Sequence, residues 1–169
     1  RAGLDLVSAT LNVIERAIPT DRWISDLIAG QNPDMVLVTP LVDIGSDQVE
    51  YIKASKSLGV RSGLCVHSWD NLTNKGLIRI IPDRVFVWNE TQRREAITMH
   101  GVRPEQAIAT GAPVYDQWFA RRPSTTREEF CRKVGLPADK PFFLYLCSSQ
   151  FIAPDESDFI DKWVRAVRQ

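Results

Sequence analysis

The chain lacks an excess of charge of either sign, since its 169 residues include 21 lysines and arginines and 21 aspartates and glutamates. A general nucleic-acid-binding protein needs basic residues in excess to neutralise phosphates, so this balance argues against that class. A local basic surface is compatible with a neutral total, and peripheral membrane association therefore stays open. The sequence shows no signal-peptide pattern and no apolar run near 18 residues, so nothing in it predicts a membrane span.

Cysteine and histidine are scarce. The three cysteines, Cys65, Cys131 and Cys147, form no C-x-x-C pair. An odd number with wide spacing argues against a disulfide framework and predicts reduced thiols in a reducing compartment, the cytoplasm. Cys65 and Cys147 lie inside apolar runs, which predicts that both are packed. Neither the cysteines nor the two histidines have the spacing of zinc ligands, so we predict no metal site.

The glycine-rich phosphate-binding motifs are also missing. The sequence contains neither G-x-x-x-x-G-K-[ST] nor G-x-G-x-x-G, and hence neither a P-loop nor a dinucleotide fingerprint. No cofactor is predicted. The chain opens at Arg1 directly in a helical pattern, and we expect it to be a fragment of a longer protein.

Short apolar runs alternate with amphipathic segments along the chain, which predicts an α/β fold: a Rossmann-like parallel sheet with flanking helices. Continuous apolar runs are typical of strands covered on both faces. The predicted strands are 35–38, 60–66, 84–88, 107–109 and 142–147. The predicted helices are 4–18, 21–30, 46–58, 89–100, 125–134 and one from about 155. Ser46 is a predicted cap, and Asn89 with Gln92 and Thr125 with Glu128 resemble capping boxes.

A change in composition at Arg121–Ser124 predicts a linker. We therefore divide the chain into residues 1–120, a linker and helix at 121–140, and a further segment at 141–169. Strand 142–147 either joins the first sheet or begins a second one, and we favour a second sheet.

Ligands of open parallel sheets bind at the carboxyl ends of the strands. Every predicted strand ends in polar or glycine-containing sequence, which predicts a ligand-facing edge. These ends are Thr39–Pro40, His67–Asn71, Asn89–Glu90, Thr110–Pro113 and Ser148–Ser149.

The segment 67–76 is the richest in chemical groups. Asp70 or His67 could accept a proton from a substrate hydroxyl, Trp69 could stack on a sugar or base, and Lys75 could neutralise a phosphate. The structural alternative is an Asx-turn at Asp70 and Asn71, with Trp69 in the core and Lys75 in solvent.

Two other positions have simpler chemistry. The hydroxyls and backbone amides of Ser148 and Ser149 suit a phosphate, although the acidic run 155–158 would repel one placed too close. His100, beside Gly101 at a helix end, is interpreted as a partner of the helix dipole.

Four further motifs belong together: Pro33–Asp34 before a strand, Ser68–Thr73, Val87–Glu90 and Thr110–Asp116. Together they resemble two-domain glycosyltransferases of the B fold. The resemblance covers residues 30 to 150 and is nearest to bacterial cell-surface polysaccharide enzymes, with a looser similarity to CDP-glycerol glycerophosphotransferases.

The resemblance implies transfer of a sugar or glycerol-phosphate unit from a nucleotide-activated donor to a carbohydrate acceptor. Residues 1–120 would be the later half of an acceptor domain, and residues 141–169 the start of a donor domain completed by the rest of the parent chain. Asp70 or His67 would be the base, and Ser148 with Ser149 would bind the donor phosphate. Substrate-binding residues would be Ser68, Trp69, Asn71, Lys75, Glu90 and Gly111.

The same family resemblance implies that no metal is obligatory, in keeping with the lack of a D-x-D cluster. Two alternatives to glycosyl transfer stay open. One is a nucleotide-sugar 2-epimerase of the same fold, and the other is a non-catalytic sugar- or nucleotide-binding module.

Overall fold

A four-stranded, all-parallel sheet organises the first part of the chain. The computed structural model describes residues 2–43 and 45–169. The strands are β1 (Met35–Val38), β2 (Arg61–Cys65), β3 (Arg84–Val87) and β4 (Ala107–Ala109), in the order β1-β2-β3-β4. Leu64 pairs in register with Val38 on one side and with Val85 on the other. The predicted α/β fold with a Rossmann-like parallel sheet is confirmed.

Eight α-helices occur in the described residues. They are α1 (Ala2–Ala17), α2 (Arg22–Gln31), α3 (Gln48–Ser57), α4 (Asn71–Asn74), α5 (Glu90–His100), α6 (Asp116–Ala120), α7 (Arg127–Val134) and α8 (Ser157–Val167). A 3₁₀ turn covers Pro113–Tyr115. Within the described part of the chain, none of these helices combines the length and the apolar character that crossing a bilayer requires.

Local sequence signals explain where several helices begin. The Asp21 side chain accepts a hydrogen bond from the backbone N–H of Trp23, and the Asn89 side chain accepts one from Gln92. The other caps differ from prediction. Asp47 rather than Ser46 precedes α3, and a complete capping box forms at Thr126 and Glu129, one residue beyond the predicted Thr125.

Only one face of the sheet is covered among the described residues. Helix α3 packs on β1 and β2, and α5 packs on β3 and β4. Val85 and Val87 on the covered face are fully buried, whereas Leu37 and Ile108 on the other face are 56% and 37% exposed. The prediction that the apolar strands are covered on both faces is therefore wrong for the described chain. An apolar run indicates which residues favour burial, but not whether an element is available to bury them.

Gly63 lies in the middle of the open face. A Cβ at this position would come within 2.7 Å of Leu37 Cδ2 and 3.0 Å of Phe86 Cε2. The missing side chain lets the flanking residues lean over the strand and bury it.

The chain divides into two units at the Ala120–Arg121 bond. In the second unit, residues 142–147 form no strand, and the predicted strand is wrong. A strand is held by the hydrogen bonds of a neighbour, and no described strand pairs with this segment. Its aromatic rings pack on α8 instead: Tyr145 contacts Phe159 and Trp163 with ring centroids 5.7 and 5.5 Å apart.

The three cysteines occupy three different environments. Cys131 is fully buried, Cys65 is half-buried, and Cys147 is exposed, so the predicted packing is wrong for Cys147. Partial burial raises the pKa of the Cys65 thiol.

Asp83 ties the start of β3 to the start of β2. Its Oδ2 accepts hydrogen bonds from the backbone N–H and the hydroxyl of Ser62, at 2.8 and 2.9 Å. Burial, the largest single influence, would raise the pKa of this carboxyl. The two Ser62 donors, together with the nearby Lys56 and Arg84, outweigh it, and the pKa is lowered.

We predict that Asp83→Asn reduces the free energy of unfolding by about 1 kcal/mol at neutral pH, a small value because the side chain is 45% exposed. Because the pKa of Asp83 is lower in the folded than in the unfolded protein, its ionised carboxylate stabilises the folded state above the unfolded-state pKa of about 4. This contribution is lost as the pH falls through the folded-state pKa. The difference between variant and wild type should therefore shrink below about pH 4. Denaturant unfolding between pH 3 and pH 7 measures it.

Asp34→Asn is the matched control. Asp34 also follows a proline directly before a strand, but its carboxylate makes no hydrogen bond or ion pair with the described part of the chain. A loss of stability equal in both variants, or independent of pH for Asp83→Asn, would contradict the assigned role.

Candidate functional site at the carboxyl edge of the sheet

The carboxyl ends of the four strands lie along one edge of the sheet, because all four strands are parallel. The turns that follow β2, β3 and β4 are joined directly by hydrogen bonds. Trp88 Nε1 donates to the carbonyl of Val66 at 2.9 Å, and the Thr110 N–H donates to the carbonyl of Val87 at 2.8 Å. His67, Asp70, Glu90 and Gly111 therefore belong to turns on the same edge.

Asn71 shapes the turn after β2. Its side-chain oxygen accepts hydrogen bonds from the backbone N–H groups of His67 and Ser68, at 3.0 and 2.8 Å. Asn71 is only 3% exposed. The sequence predicts that Asn71 contacts substrate. Because its side chain is buried and its oxygen already accepts two hydrogen bonds, the structure favours a positioning role that holds the turn.

Gln92 joins the turns after β2 and β3. Its Oε1 accepts from the N–H of Trp88 at 2.8 Å, and its Nε2 donates to the carbonyl of Ser68 at 3.0 Å. The side chain is 3% exposed. Sequence reasoning identified Gln92 only as part of a helix cap and missed this link, which needs the two turns to be adjacent in space.

Asp70 is a half-buried carboxylate at the mouth of the turn. Its Oδ1 accepts a hydrogen bond from the Ser68 hydroxyl at 2.6 Å. This bond is the main reason that the pKa of Asp70 is lowered, with smaller contributions from Asn74 and the positive charge of Lys75. Asp70 is therefore ionised at neutral pH and can accept hydrogen bonds from a ligand.

The other predicted contacts in this turn are directed to solvent. Trp69 is 72% exposed, which excludes the alternative that it belongs to the core. His67 is exposed, and its ring makes no hydrogen bond with the described residues. Lys75 is also exposed. A flat apolar ring, an imidazole, a carboxylate and an ammonium group thus occur within nine residues.

Glu90 and Gly111 belong to the neighbouring turns. The Glu90 carboxylate is 69% exposed and lies 3.5 Å from Arg93, which in turn donates to the carbonyls of Pro104 and Ala107. Gly111 has φ +87°, a conformation that residues with a side chain rarely adopt, and the position where a Cβ would lie is open. The backbone at Gly111 is thus accessible to a ligand.

His100 supports the same region from below the surface. It is 8% exposed, its Nδ1 accepts from the N–H of Ile78 at 3.1 Å, and its Nε2 lies 2.8 Å from the carbonyl of Leu72. The ring therefore holds both ends of the segment that carries Lys75. Its interpretation as a dipole partner missed these contacts, because they join residues more than 20 positions apart.

Ser148 and Ser149, the predicted phosphate ligands, lie in the second unit. Glu156 already occupies the Ser148 amide: its Oε2 accepts from that N–H at 2.6 Å, while its Oε1 accepts from the Tyr145 hydroxyl at 2.9 Å. The bond to Glu156 raises the pKa of Tyr145. A phosphate would have to displace this carboxylate, so the geometry argues against a phosphate site here.

Comparison with known protein families, curated proteins and solved structures finds no match. Within the described residues, no group of three or more histidine, cysteine, aspartate or glutamate side chains is arranged to bind a metal ion.

We predict that Gln92→Leu lowers the free energy of unfolding by about 1–3 kcal/mol, because the change leaves the Trp88 N–H without its partner and leaves the Ser68 carbonyl with only the longer bond from the Asn71 N–H at 3.4 Å. Chemical denaturation gives the magnitude. Amide NMR shifts should change most at Ser68 and Trp88.

Gln31→Leu is the control, since Gln31 is an exposed residue at the end of α2. Surface changes of this kind are expected to alter stability by less than about 0.5 kcal/mol. Equal effects of the two substitutions would mean that Gln92 does not join the turns.

Proposed function

We propose that this chain belongs to a glycosyltransferase-like enzyme and that the turn at residues 67–76 binds the carbohydrate acceptor. The observation that carries the proposal is the exposed indole of Trp69 beside the ionised carboxylate of Asp70. Sugars present apolar C–H faces, which pack on aromatic rings, and rings of hydroxyls, which donate to carboxylates. The carboxyl edge of a parallel sheet is also where such ligands bind.

The proposed reaction transfers a sugar or glycerol-phosphate unit from a nucleotide-activated donor. For a sugar donor, the acceptor oxygen forms a bond to the anomeric carbon, and the bond from that carbon to the donor phosphate breaks. The nucleoside diphosphate leaves with the bonding electron pair. The acceptor proton passes to Asp70 or His67, the two side chains of the turn that can act as a general base.

The groups around these two residues have supporting roles in the proposal. Ser68 orients the Asp70 carboxylate through its 2.6 Å hydrogen bond. Lys75 places a positive charge close enough to influence Asp70 and is available to a charged substrate group. Glu90 and the open backbone of Gly111 supply further acceptors for sugar hydroxyls from the neighbouring turns. Asn71 and Gln92 keep the turns in place.

We predict that Trp69→Ala weakens carbohydrate binding about tenfold, since it removes the stacking surface. Saturation-transfer NMR with a panel of mono- and disaccharides measures the change. The exposed indole contributes little to folding, so the unfolding midpoint should stay the same. Trp23→Ala, on the exposed side of α2, is the control and should leave binding unchanged.

We predict that Asp70→Asn lowers kcat about 10²- to 10⁴-fold in the full-length enzyme, because an amide cannot accept the acceptor proton but can still accept the Ser68 hydrogen bond. The assay follows nucleoside diphosphate release from UDP- and GDP-sugars and cytidine nucleotide release from CDP-glycerol, with saccharide acceptors. His67→Gln in parallel separates the two candidate bases.

Three results would contradict the proposal. Near-normal turnover by both variants would remove the base role from this turn. Conversion of a nucleotide sugar to its 2-epimer without an acceptor would identify an epimerase. Binding of sugar with no turnover of any donor would identify a binding module.

A further inference from the structure

A second candidate site lies away from the carboxyl edge of the sheet, in the first unit. A cavity of about 500 Å³ is lined by the α1–α2 turn, by α3 and by Ile80 and Ile81. Its charged lining residues are Arg16, Lys53 and Lys56, and no carboxylate lines it. We call it the basic cavity. Its volume falls within the range that small-molecule sites occupy.

Lys53 is the most unusual residue of the basic cavity. Its side chain is only 7% exposed, and its ammonium lies 3.0 Å from Glu50 of the same helix. A lysine is seldom buried to this degree without an ionic partner. The other two cations have weaker ionic partners or none. Lys56 lies 4.0 Å from Asp83, the outer limit of an ion pair, and Arg16 forms no ion pair with the described residues. The cavity thus holds positive charge that its own lining does not neutralise.

An apolar cavity of about 550 Å³ adjoins it. Its wall is formed by Val7, Leu11 and Ile14 on one face of α1 and by Ile18 directly after the helix, and Leu77 also lines it. These five side chains are between 47% and 60% exposed. Glu15 and Arg79 form a 3.0 Å ion pair that ties α1 to the segment carrying Leu77. Ile18 lines both cavities, so the two meet at the carboxyl end of α1.

We propose that the two cavities together bind one anionic amphiphile: a phosphate or carboxylate head in the basic cavity, with a single alkyl chain along α1. Arg16, which has no ion pair among the described residues, and Lys56, 4.0 Å from Asp83, attract the head group by charge. The face from Val7 to Ile18 extends about 16 Å at 1.5 Å per residue, the length of a medium to long alkyl chain. This site is independent of the acceptor site proposed above.

The test is calorimetric titration of the full chain with butyl, hexyl and octyl phosphate below their micelle-forming concentrations. Each added methylene should strengthen binding about two- to fourfold, the fourfold limit being complete burial. Inorganic phosphate alone and octanol alone should bind far more weakly than octyl phosphate. Octanoate in place of octyl phosphate distinguishes the two head groups. Methyl NMR shifts should change at Ile14 and Ile18.

Paired variants separate the two parts of the site. Arg16→Gln combined with Lys56→Gln should weaken octyl phosphate at least tenfold and leave octanol unchanged. Leu11→Asn should reduce the gain per methylene. Two control variants should change neither the affinity for octyl phosphate nor the gain per methylene. They are Arg22→Gln, which replaces a 93% exposed cation of α2, and Asp70→Asn. All five positions are exposed or half-buried, so the variants should keep the wild-type unfolding midpoint.

Four outcomes would overturn the proposal. No binding at millimolar octyl phosphate would remove the site. Equal affinity for inorganic and octyl phosphate would reduce it to a simple anion site. Binding to vesicles of anionic phospholipid without binding to monomeric amphiphile would make α1 a membrane-surface element. Dimerisation abolished by Leu11→Asn would mean that a second copy of the chain covers this face.

Discussion

Two buried amide side chains, Asn71 and Gln92, hold the candidate site in its shape. Together they satisfy the backbone N–H groups of His67, Ser68 and Trp88 and the carbonyl of Ser68. A buried backbone group without a partner costs about 1–3 kcal/mol, so conformations in which either amide turns away are strongly disfavoured. The reactive groups themselves lie at the surface: His67, Trp69 and Lys75 are exposed, and Asp70 is half-buried. The site thus has a buried layer that determines its geometry and an exposed layer that is available for chemistry.

Much of this arrangement could be predicted from the sequence. Alternation of apolar runs with amphipathic segments gave the parallel sheet, and parallel strands require their carboxyl ends to share an edge. The roles of the two amides could not be predicted. Gln92 is a residue of a helix cap in sequence terms, and its bond to Ser68 spans 24 positions. The role of Asn71 could not be predicted for a different reason. In a turn with many polar residues, the sequence does not show whether an asparagine oxygen faces solvent, where it could bind substrate, or the backbone.

The errors in predicting the fold have one physical origin. The hydrophobicity of a segment shows that its side chains favour burial, but not which other element will cover them. Leu37 and Ile108 belong to apolar strands and are nevertheless exposed, because helices α3 and α5 cover only the other face. Residues 142–147 have the composition of a strand but no described partner, and their aromatic rings pack on α8 instead. The structure argues against the Ser148 prediction for a related reason. The acidic run 155–158 was expected only to repel a phosphate nearby, whereas Glu156 folds back and takes the hydrogen-bond donor itself.

In the proposed reaction, the lowered pKa of Asp70 is at first sight the wrong property for a base, since a weaker base accepts a proton less readily. The Ser68 hydroxyl that lowers it, however, acts in a turn that is open to solvent. A sugar stacked on Trp69 would exclude water from the neighbouring carboxylate, and desolvation raises the pKa of a carboxyl. Acceptor binding would therefore increase the basicity of Asp70 at the moment when a hydroxyl is beside it. In the absence of acceptor, the carboxylate stays ionised and oriented by Ser68, so the same two side chains serve both stages.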